Sequence, residues 1–211
     1  GALLVVDGVQ AAGIIAKPLS ELGADFIAIG GHKNLFGLTG SGIAWCREAL
    51  VNELKTPFVK APAAPGSAQA KAHAVSQFDY MRIAHRFEGG NPNFLGVRVL
   101  RRGAQFLKQI GITNIENRVR ELTATCIASV KSRGFRTTTP ESWDERAQIV
   151  NVVVPNAEAV MSALREKHRV VVNVKDNALR LSMSFFNNEE DIERTVNAIA
   201  AEAGGKSAAA A

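Results

Sequence analysis

The sequence of 211 residues contains only two cysteines and no long apolar run. Cys46 and Cys126 lie far apart, in a spacing that fits neither a disulfide framework nor a metal site, so a reducing cytoplasm is the expected compartment. No stretch is long and apolar enough to cross a bilayer, and nothing resembles a signal peptide. We therefore expect a cytoplasmic protein with no membrane partner and no metal.

Clusters of charge are also missing. The 25 Lys and Arg residues outnumber the 20 Asp and Glu residues and give a net charge of +5, but they are scattered among the acids. No basic run and no interleaving of basic with aromatic residues is present, so a nucleic-acid partner is not expected. With 46% hydrophobic residues, the chain can form a core in one or two domains.

Short apolar runs separated by turns dominate the first fifty residues. They predict strands at residues 3–6, 26–29 and 42–45, of which the first is expected to be buried, and a helical turn at residues 18–22. This rhythm is typical of an α/β sheet, whose ligands gather beyond the carboxyl ends of the strands. Residues 57–77, rich in Ala and Pro, are predicted to form a loop.

The rest of the chain alternates helices with strands. Apolar stripes predict one helix that stops at Gly111 and a second that begins with the capping-box pattern Thr113–Glu116 and stops at Gly134. After these we expect a strand at 149–154, a helix at 156–167, a hairpin of 170–174 with 179–183, and a last helix opening with three acids, Glu189, Glu190 and Asp191.

Three regions follow from these elements. Residues 1–95 should belong to a larger sheet domain, and residues 96–203 should comprise the long helices and a small α+β domain. Residues 204–211 read as a low-complexity tail. Because the chain opens without Met and directly on an apolar strand, we expect a further segment before it.

Asp7 and Lys33 are the first candidates for chemistry. Asp7 directly follows the first predicted strand, and Lys33 comes shortly after the second. Taken singly, each has an ordinary explanation as a turn residue or as part of a Gly-rich turn. Together they could reach one pocket if the two strands are neighbours. An aldehyde cofactor needs a primary amine for a Schiff base and a carboxylate that keeps its ring nitrogen protonated, and these two residues suit those roles.

A longer match surrounds both residues. Residues 24–42, with the sequence ADFIAIGGHKNLFGLTGSG, resemble the lysine signature of class V aminotransferases, and residues 7–10, DGVQ, are similar to the Asp-x-x-Gln of that family. The resemblance covers most of the chain and implies the C-terminal portion of a pyridoxal 5′-phosphate (PLP) enzyme of fold type I, with part of the large mixed-sheet domain and the small C-terminal α+β domain.

The resemblance also implies roles for individual residues. Lys33 would carry the cofactor, and the other cofactor contacts would be made by Asp7 on the pyridine nitrogen, Gln10 on the ring hydroxyl, Val9 on a ring face and His32 on the phosphate. Residues 86–93, RFEGGNPN, look like a family loop that reaches the partner subunit's cofactor, which implies a homodimer. Asn91 would make that contact in place of a Thr.

Arg180 is the candidate for substrate binding. It lies in residues 179–192, LRLSMSFFNNEEDI, which resemble the family segment whose Arg binds the substrate carboxylate. A guanidinium suits this task because it grips a carboxylate through two parallel hydrogen bonds. Strand alternation predicts that Leu179 and Leu181 face one side of the sheet and Arg180 the other; an exposed strand arginine paired with an acid is the ordinary alternative.

Three departures from the family pattern bear on function. Gly30 stands where the family often has a Ser, which removes one phosphate contact. No Cys lies between Arg165 and Arg180, where desulfurases carry their nucleophile, and Cys126 is expected to be a small core residue. The first half of the family's sequence is missing, so the sheet should expose an apolar edge and the isolated chain should be weakly active or inactive.

The expected function is therefore that of a PLP-dependent enzyme acting on an amino acid, aminotransferase-like or epimerase-like. A C–S or C–Se lyase of the same family is the second choice. A truncated copy that survives only as a folded or dimerising module is the alternative from another class.

Overall fold

A computed structural model describes residues 1–54, 84–89 and 91–204. The contacts divide the chain into two compact units: Gly1–Ala12 with Lys17–Gln109, and Gly13–Ala16 with the chain from Ile110 onward. The long helix after residue 93 thus belongs to the first unit, whereas the sequence places a domain boundary at 95/96. That boundary stays a prediction for the complete protein. The loop expected at 57–77 and the tail after residue 204 lie outside the described residues.

The first unit contains a three-stranded mixed sheet in the order β1-β2-β3. β1 (Val5–Asp7) runs parallel to β2 (Phe26–Gly30), which pairs antiparallel with β3 (Gly42–Cys46). The described part of this unit also contains a short helix, α1 (Glu48–Val51), a long helix, α2 (Phe94–Ile110), and 3-10 turns at Leu19–Glu21 and Ala84–Phe87.

β1 lies at an edge of this sheet. Leu3, Leu4 and Val5 are 52, 51 and 67% exposed, so the prediction of a strand buried from its first residues was wrong. The reason is that β1 pairs with β2 on one side only, within the described part of the chain. The apolar edge that the sequence led us to expect is confirmed.

The second unit is a two-layer α/β structure. Its antiparallel sheet has the order β4-β5-β7-β6, formed by Arg136–Thr137, Ile149–Val153, Ala178–Ser182 and Asn173–Lys175 respectively. Helices α3 (Ile112–Ser132), α4 (Ala157–His168) and α5 (Glu189–Ala203) pack on one face of that sheet. Their apolar stripes bury Val150, Val152, Leu179 and Leu181 in a common core.

Helix α5 begins as its acidic first turn predicts. Asn188 Oδ1 accepts a hydrogen bond from the Asp191 backbone N at 2.8 Å, and Asp191 Oδ2 accepts one from the Asn188 backbone N at 3.1 Å. This reciprocal capping box satisfies two backbone donors that the helix leaves unpaired. In addition, Arg133 of the α3 C-terminus donates to Glu193 at 2.6 Å and to Asn197 at 2.7 Å, which ties α5 to α3.

The capping box predicted at Thr113–Glu116 was wrong. Helix α3 starts two residues earlier than a Thr113 cap would give, at Ile112, because Gly111 adopts a φ of 91° and serves as the N-cap residue without a side-chain bond. Glu116 has other partners: it accepts hydrogen bonds from the Ala16 backbone N at 3.2 Å and from Trp143 Nε1 at 3.0 Å. The spacing of Thr113 and Glu116 in the sequence cannot reveal that residues far along the chain bind the Glu116 carboxylate instead.

The predicted hairpin is shorter than expected. Its turn is confirmed, since Asp176 and Asn177 have φ values of 51° and 57°, the signs of a two-residue type I′ turn. However, β6 begins only at Asn173. The Val170 backbone N still donates to Leu164 O at 3.0 Å and so completes the end of α4. Among the described residues, no helix has the length and apolarity needed to cross a membrane.

Candidate functional site

Two loops begin at the same end of the first sheet, where β1 and β2 reach their carboxyl ends. β1 and β2 are parallel and in register, with Val5 opposite Phe26, so the residues after Asp7 and after Gly30 start side by side. Asp7 is exposed, and its Oδ1 accepts a hydrogen bond from the Val9 backbone N at 3.0 Å. This hydrogen bond fixes the direction of the carboxylate.

A side-chain bridge joins these two loops. Asn34 Nδ2 donates to Gln10 O at 2.9 Å and thereby connects the segment after β1 to the loop that carries Lys33. The Lys33 loop is itself held by the backbone: Phe36 N donates to Lys33 O at 3.0 Å, and Gly37 N donates to the Gly31 carbonyl at 2.7 Å. The exposed Lys33 side chain therefore projects from a fixed turn.

Gly30 brings two further predicted residues together. A Cβ placed on Gly30 would lie 2.9 Å from Val9 Cγ2 and 3.1 Å from His32 Cε1. A distance of 2.9 Å is shorter than real Cβ contacts, so a serine at position 30 would require the Val9 side chain, and by a smaller amount the His32 ring, to shift. The glycine at this position therefore agrees with the packing of Val9 and His32 in this chain.

Helix α2 packs against the loop that carries Lys33. A Cβ on Gly31 would lie 3.0 Å from Leu100 Cδ1, and a Cβ on Gly103 would fall on the Leu35 carbonyl oxygen. Gly103 thus allows the helix to approach the backbone of the loop, and Gly31 leaves room for the Leu100 side chain of the helix. The position of Lys33 therefore depends on packing as well as on the turn.

Asn91 and its motif are only partly described. Asn91 is exposed and lies three residues before α2 begins. Asn93 acts as a helix cap, because its Oδ1 accepts from the Gly96 backbone N at 2.9 Å. Gly90 and the side chain of Arg86 lie outside the described residues. The contact of Asn91 with a partner subunit's cofactor stays a prediction.

Arg180 lies in the second unit, on β7 between β5 and β6. Its cross-strand neighbours are Asn151 on β5 and Asn173 on β6. Leu179 and Leu181 are buried against the helices, whereas Arg180 is half-buried on the opposite face. The predicted alternation along this strand is confirmed.

Neither cysteine has the setting of a reactive thiolate. Cys126 is 1% exposed inside the helical core, and this burial raises the pKa of its thiol to about 12. Cys46, on β3, also has a raised pKa, chiefly because of burial, with Arg47 opposing and Asp25 adding to the shift. The interpretation of Cys126 as a core residue is confirmed.

Of the predicted site residues, the first unit brings together Asp7, Val9, Gln10, His32 and Lys33 at one sheet edge. Asn34, Asn151 and Asn173 were missed. Asn34 could have been noticed as a bridging amide directly after the lysine. The other two become visible only once the strand register is known.

Comparison with known proteins agrees with these features. The sequence profile of the family described as Aminotransferase class-V matches residues 1–195. The chain belongs to this family. Among its curated relatives is an uncharacterized aminotransferase, YcbU of Bacillus subtilis, which is 28% identical over 96% of this chain and 52% of its own length. A probable cysteine desulfurase of Pyrococcus abyssi is 27% identical over 92% and 50%.

Solved structures identify the fold of this class-V aminotransferase family member. The apo cysteine desulfurase of Thermococcus onnurineus superposes with a TM-score of 0.82 at 24% identity, over 97% of this chain and 53% of its own. The fold is PLP-dependent transferase fold type I, as the sequence predicted. The chain spans about half the length of the relatives it matches.

Proposed function

We propose that the protein is a PLP-dependent enzyme that acts on an amino acid through Lys33, as an aminotransferase or an epimerase. The observation that carries this proposal is the shared sheet edge, where the Asn34–Gln10 hydrogen bond ties the Lys33 loop to the segment after Asp7. The exposed carboxylate of Asp7 ends β1, and the exposed amine of Lys33 follows the paired parallel strand β2. The residues present fit PLP, because an amine, a carboxylate, an imidazole and an apolar side chain all lie in the two connected loops at this end of the sheet.

PLP, when bound, supplies an electron-withdrawing ring that stabilises negative charge at the carbon next to the amino group. Asp7 would keep the ring nitrogen protonated through its carboxylate, and Gln10 would hydrogen-bond the ring hydroxyl. Val9 would pack on a ring face, and His32 would help to hold the phosphate. Lys33 would hold the cofactor and then carry the α-proton of the substrate as a general acid and base.

Arg180 would bind the α-carboxylate of the substrate. Its planar guanidinium offers two parallel donors, and the sheet fixes its backbone between two paired strands. Asn91 would contact the cofactor of a partner subunit, so the proposal includes a homodimer. The cytoplasm is the proposed compartment.

The desulfurases among the relatives raise the question of sulfur transfer. Persulfide formation on the enzyme needs an accessible thiolate, and burial of Cys126 raises the pKa of its thiol to about 12. The segment before Arg180 contains no other cysteine and closes in a two-residue turn. These features favour an aminotransferase or an epimerase, with a C–S lyase that needs no enzyme thiol as the second candidate.

The test is to mix the purified chain with PLP and record its visible absorption band. Borohydride reduction and mass spectrometry then identify the modified lysine. Lys33→Ala should abolish the band, whereas Lys17→Ala, an exposed lysine of the same unit, should leave it intact. If the band persists in Lys33→Ala, or if a longer form that spans the full length of the relatives gives none, the enzyme proposal is wrong and a non-enzymatic folded module remains.

A panel of amino acids separates the reactions. Transfer of the amino group yields a keto acid, epimerisation inverts a stereocentre, and a lyase releases sulfide or selenide. Each product is measured directly in the protein that shows the Lys33 band.

A further inference from the structure

The face of the second sheet that carries Arg180 also carries the other basic side chains of its strands. Arg136 lies opposite Val153, two residues from Asn151, and Lys175 lies two residues from Asn173. Alternation along the strands therefore places both cations on the Arg180 face. The four strands contain three basic residues and no acid, so this face favours an anion.

Arg180 stands at the centre of a polar row across this face. Asn151 and Asn173 are its direct register partners on the two sides. Directly opposed residues of an antiparallel pair bring their Cβ atoms to about 5 Å. The row Asn151–Arg180–Asn173 therefore spans three adjacent strands, β5, β7 and β6.

Asn151 shows an incomplete hydrogen-bond set. Its side-chain oxygen Oδ1 is shielded from solvent and has no hydrogen-bond partner within the described residues. A buried acceptor left without a donor destabilises the fold, so a donor is expected there in the working state. The neighbouring guanidinium of Arg180 has five N–H groups and can supply one while two others hold a carboxylate.

Asn173 has the complementary setting. It is exposed at the other side of Arg180, on the short edge strand β6. Its amide group can donate a hydrogen bond to a carboxylate oxygen without adding charge.

We propose that Asn151 and Asn173 complete the carboxylate site around Arg180, with Asn151 holding the guanidinium in place and Asn173 donating to the bound carboxylate. Asn151 is thus a positioning residue and Asn173 a binding residue. The ligand class is a small amino acid with a free α-carboxylate. This inference rests on the proposed role of Arg180.

The experiment is an NMR titration of the isotope-labelled 211-residue chain, which follows the Arg180 Nε–Hε signal and the backbone amide signals of β7, the latter also in the Arg180→Ala variant. L-Alanine is the probe, and L-alaninamide, which lacks the carboxylate, is the control ligand. L-Alanine should shift the signal and L-alaninamide should not. Absence of any shift with L-alanine overturns the inference.

Three variants sharpen the test. Asn151→Asp keeps the size of the side chain but places a carboxylate beside Arg180 that competes with the ligand, so binding should weaken about tenfold or more. Asn173→Ala should weaken it about fivefold, since one hydrogen bond is lost at an exposed position. Val153→Ala, on the same strand and face but opposite Ala178, should bind as the wild type does.

The outcomes separate this inference from the proposed function. If both Asn variants bind L-alanine like the wild type while Arg180→Ala does not bind it, the row is wrong and the role of Arg180 stands. If the row behaves as expected but the PLP band persists in Lys33→Ala, the enzyme proposal fails alone. Asn173→Ala changes an exposed side chain, so it keeps the test valid even if Asn151→Asp does not fold.

Discussion

Gly103 of α2 offers a sharp test of how the Lys33 loop is held. Replacement of Gly by Ala in a helix normally stabilises a protein by about 1 kcal/mol. Here the new Cβ would fall on the carbonyl oxygen of Leu35, and it would also lie 3.3 Å from Phe36 Cβ. Leu35 is buried two residues after Lys33, so its backbone cannot move freely.

The sizes of these two opposing effects decide whether Gly103→Ala stabilises or destabilises the protein. Overpacking costs about 1–3 kcal/mol. Because the new Cβ would meet backbone rather than a flexible side chain, we expect a cost of about 3 kcal/mol for Gly103→Ala. After the gain in helix propensity is subtracted, Gly103→Ala should lower the free energy of unfolding by about 2 kcal/mol. The PLP band of Lys33 should weaken in parallel, because the loop must shift.

Ala104→Gly is the matched control. Ala104 is exposed on the same turn of α2, so the change removes helix propensity alone and should cost about 1 kcal/mol. Urea denaturation followed by circular dichroism measures both variants. A Gly103→Ala protein more stable than the wild type would refute the close approach of helix and loop.

Three further predictions follow from single sites. Gly30→Ser should weaken PLP binding about tenfold in an absorbance titration, since Val9 and His32 occupy the space of the new Cβ; unchanged affinity would show that they can move aside. Arg133→Met should lower the free energy of unfolding by about 2 kcal/mol at pH 7, because Arg133 is 6% exposed and its hydrogen bonds reach Glu193. Hydrogen bonds from Ser129 and then Arg133 lower the pKa of Glu193, so ionised Glu193 stabilises the fold above the ordinary pKa of 4.5, and this stabilisation is lost as the pH falls through the lowered pKa. The difference in unfolding free energy between the wild type and Arg133→Met should therefore become smaller in acid. A difference that does not change with pH would contradict the ion pair. Finally, a thiol reagent should leave Cys126 unmodified in the folded protein and label it after unfolding, and rapid native labelling would contradict its burial.

Local patterns in the sequence predicted most elements of the fold. Alternation along β7 and the acidic first turn of α5 depend on neighbours within a few residues, so both were predictable from the sequence. The start of α3 was not, because the Glu116 side chain bonds Ala16 and Trp143. The start of β6 was also missed, since Val170 still belongs to the end of α4.

The residues of the candidate site also fall into those that were predictable from local sequence and those that were not. Lys33 and Asp7 were recognisable because their motifs are contiguous in the chain. The Asn34 bridge and the Asn neighbours of Arg180 depend on which strands pair and in which register. Register is set by long-range packing, and no window of sequence contains it.

The two-residue turn between β6 and β7 also suggests a route to new chemistry. Asp176 and Asn177 connect strands whose register is fixed by the pairs from Asn173↔Arg180 to Lys175↔Ala178. Extra residues inserted between them would lengthen only an exposed loop tip, and such tips tolerate insertion well. The hairpin is therefore a suitable place to graft a cysteine-bearing loop and so to engineer a sulfur acceptor near the residue proposed to bind the substrate.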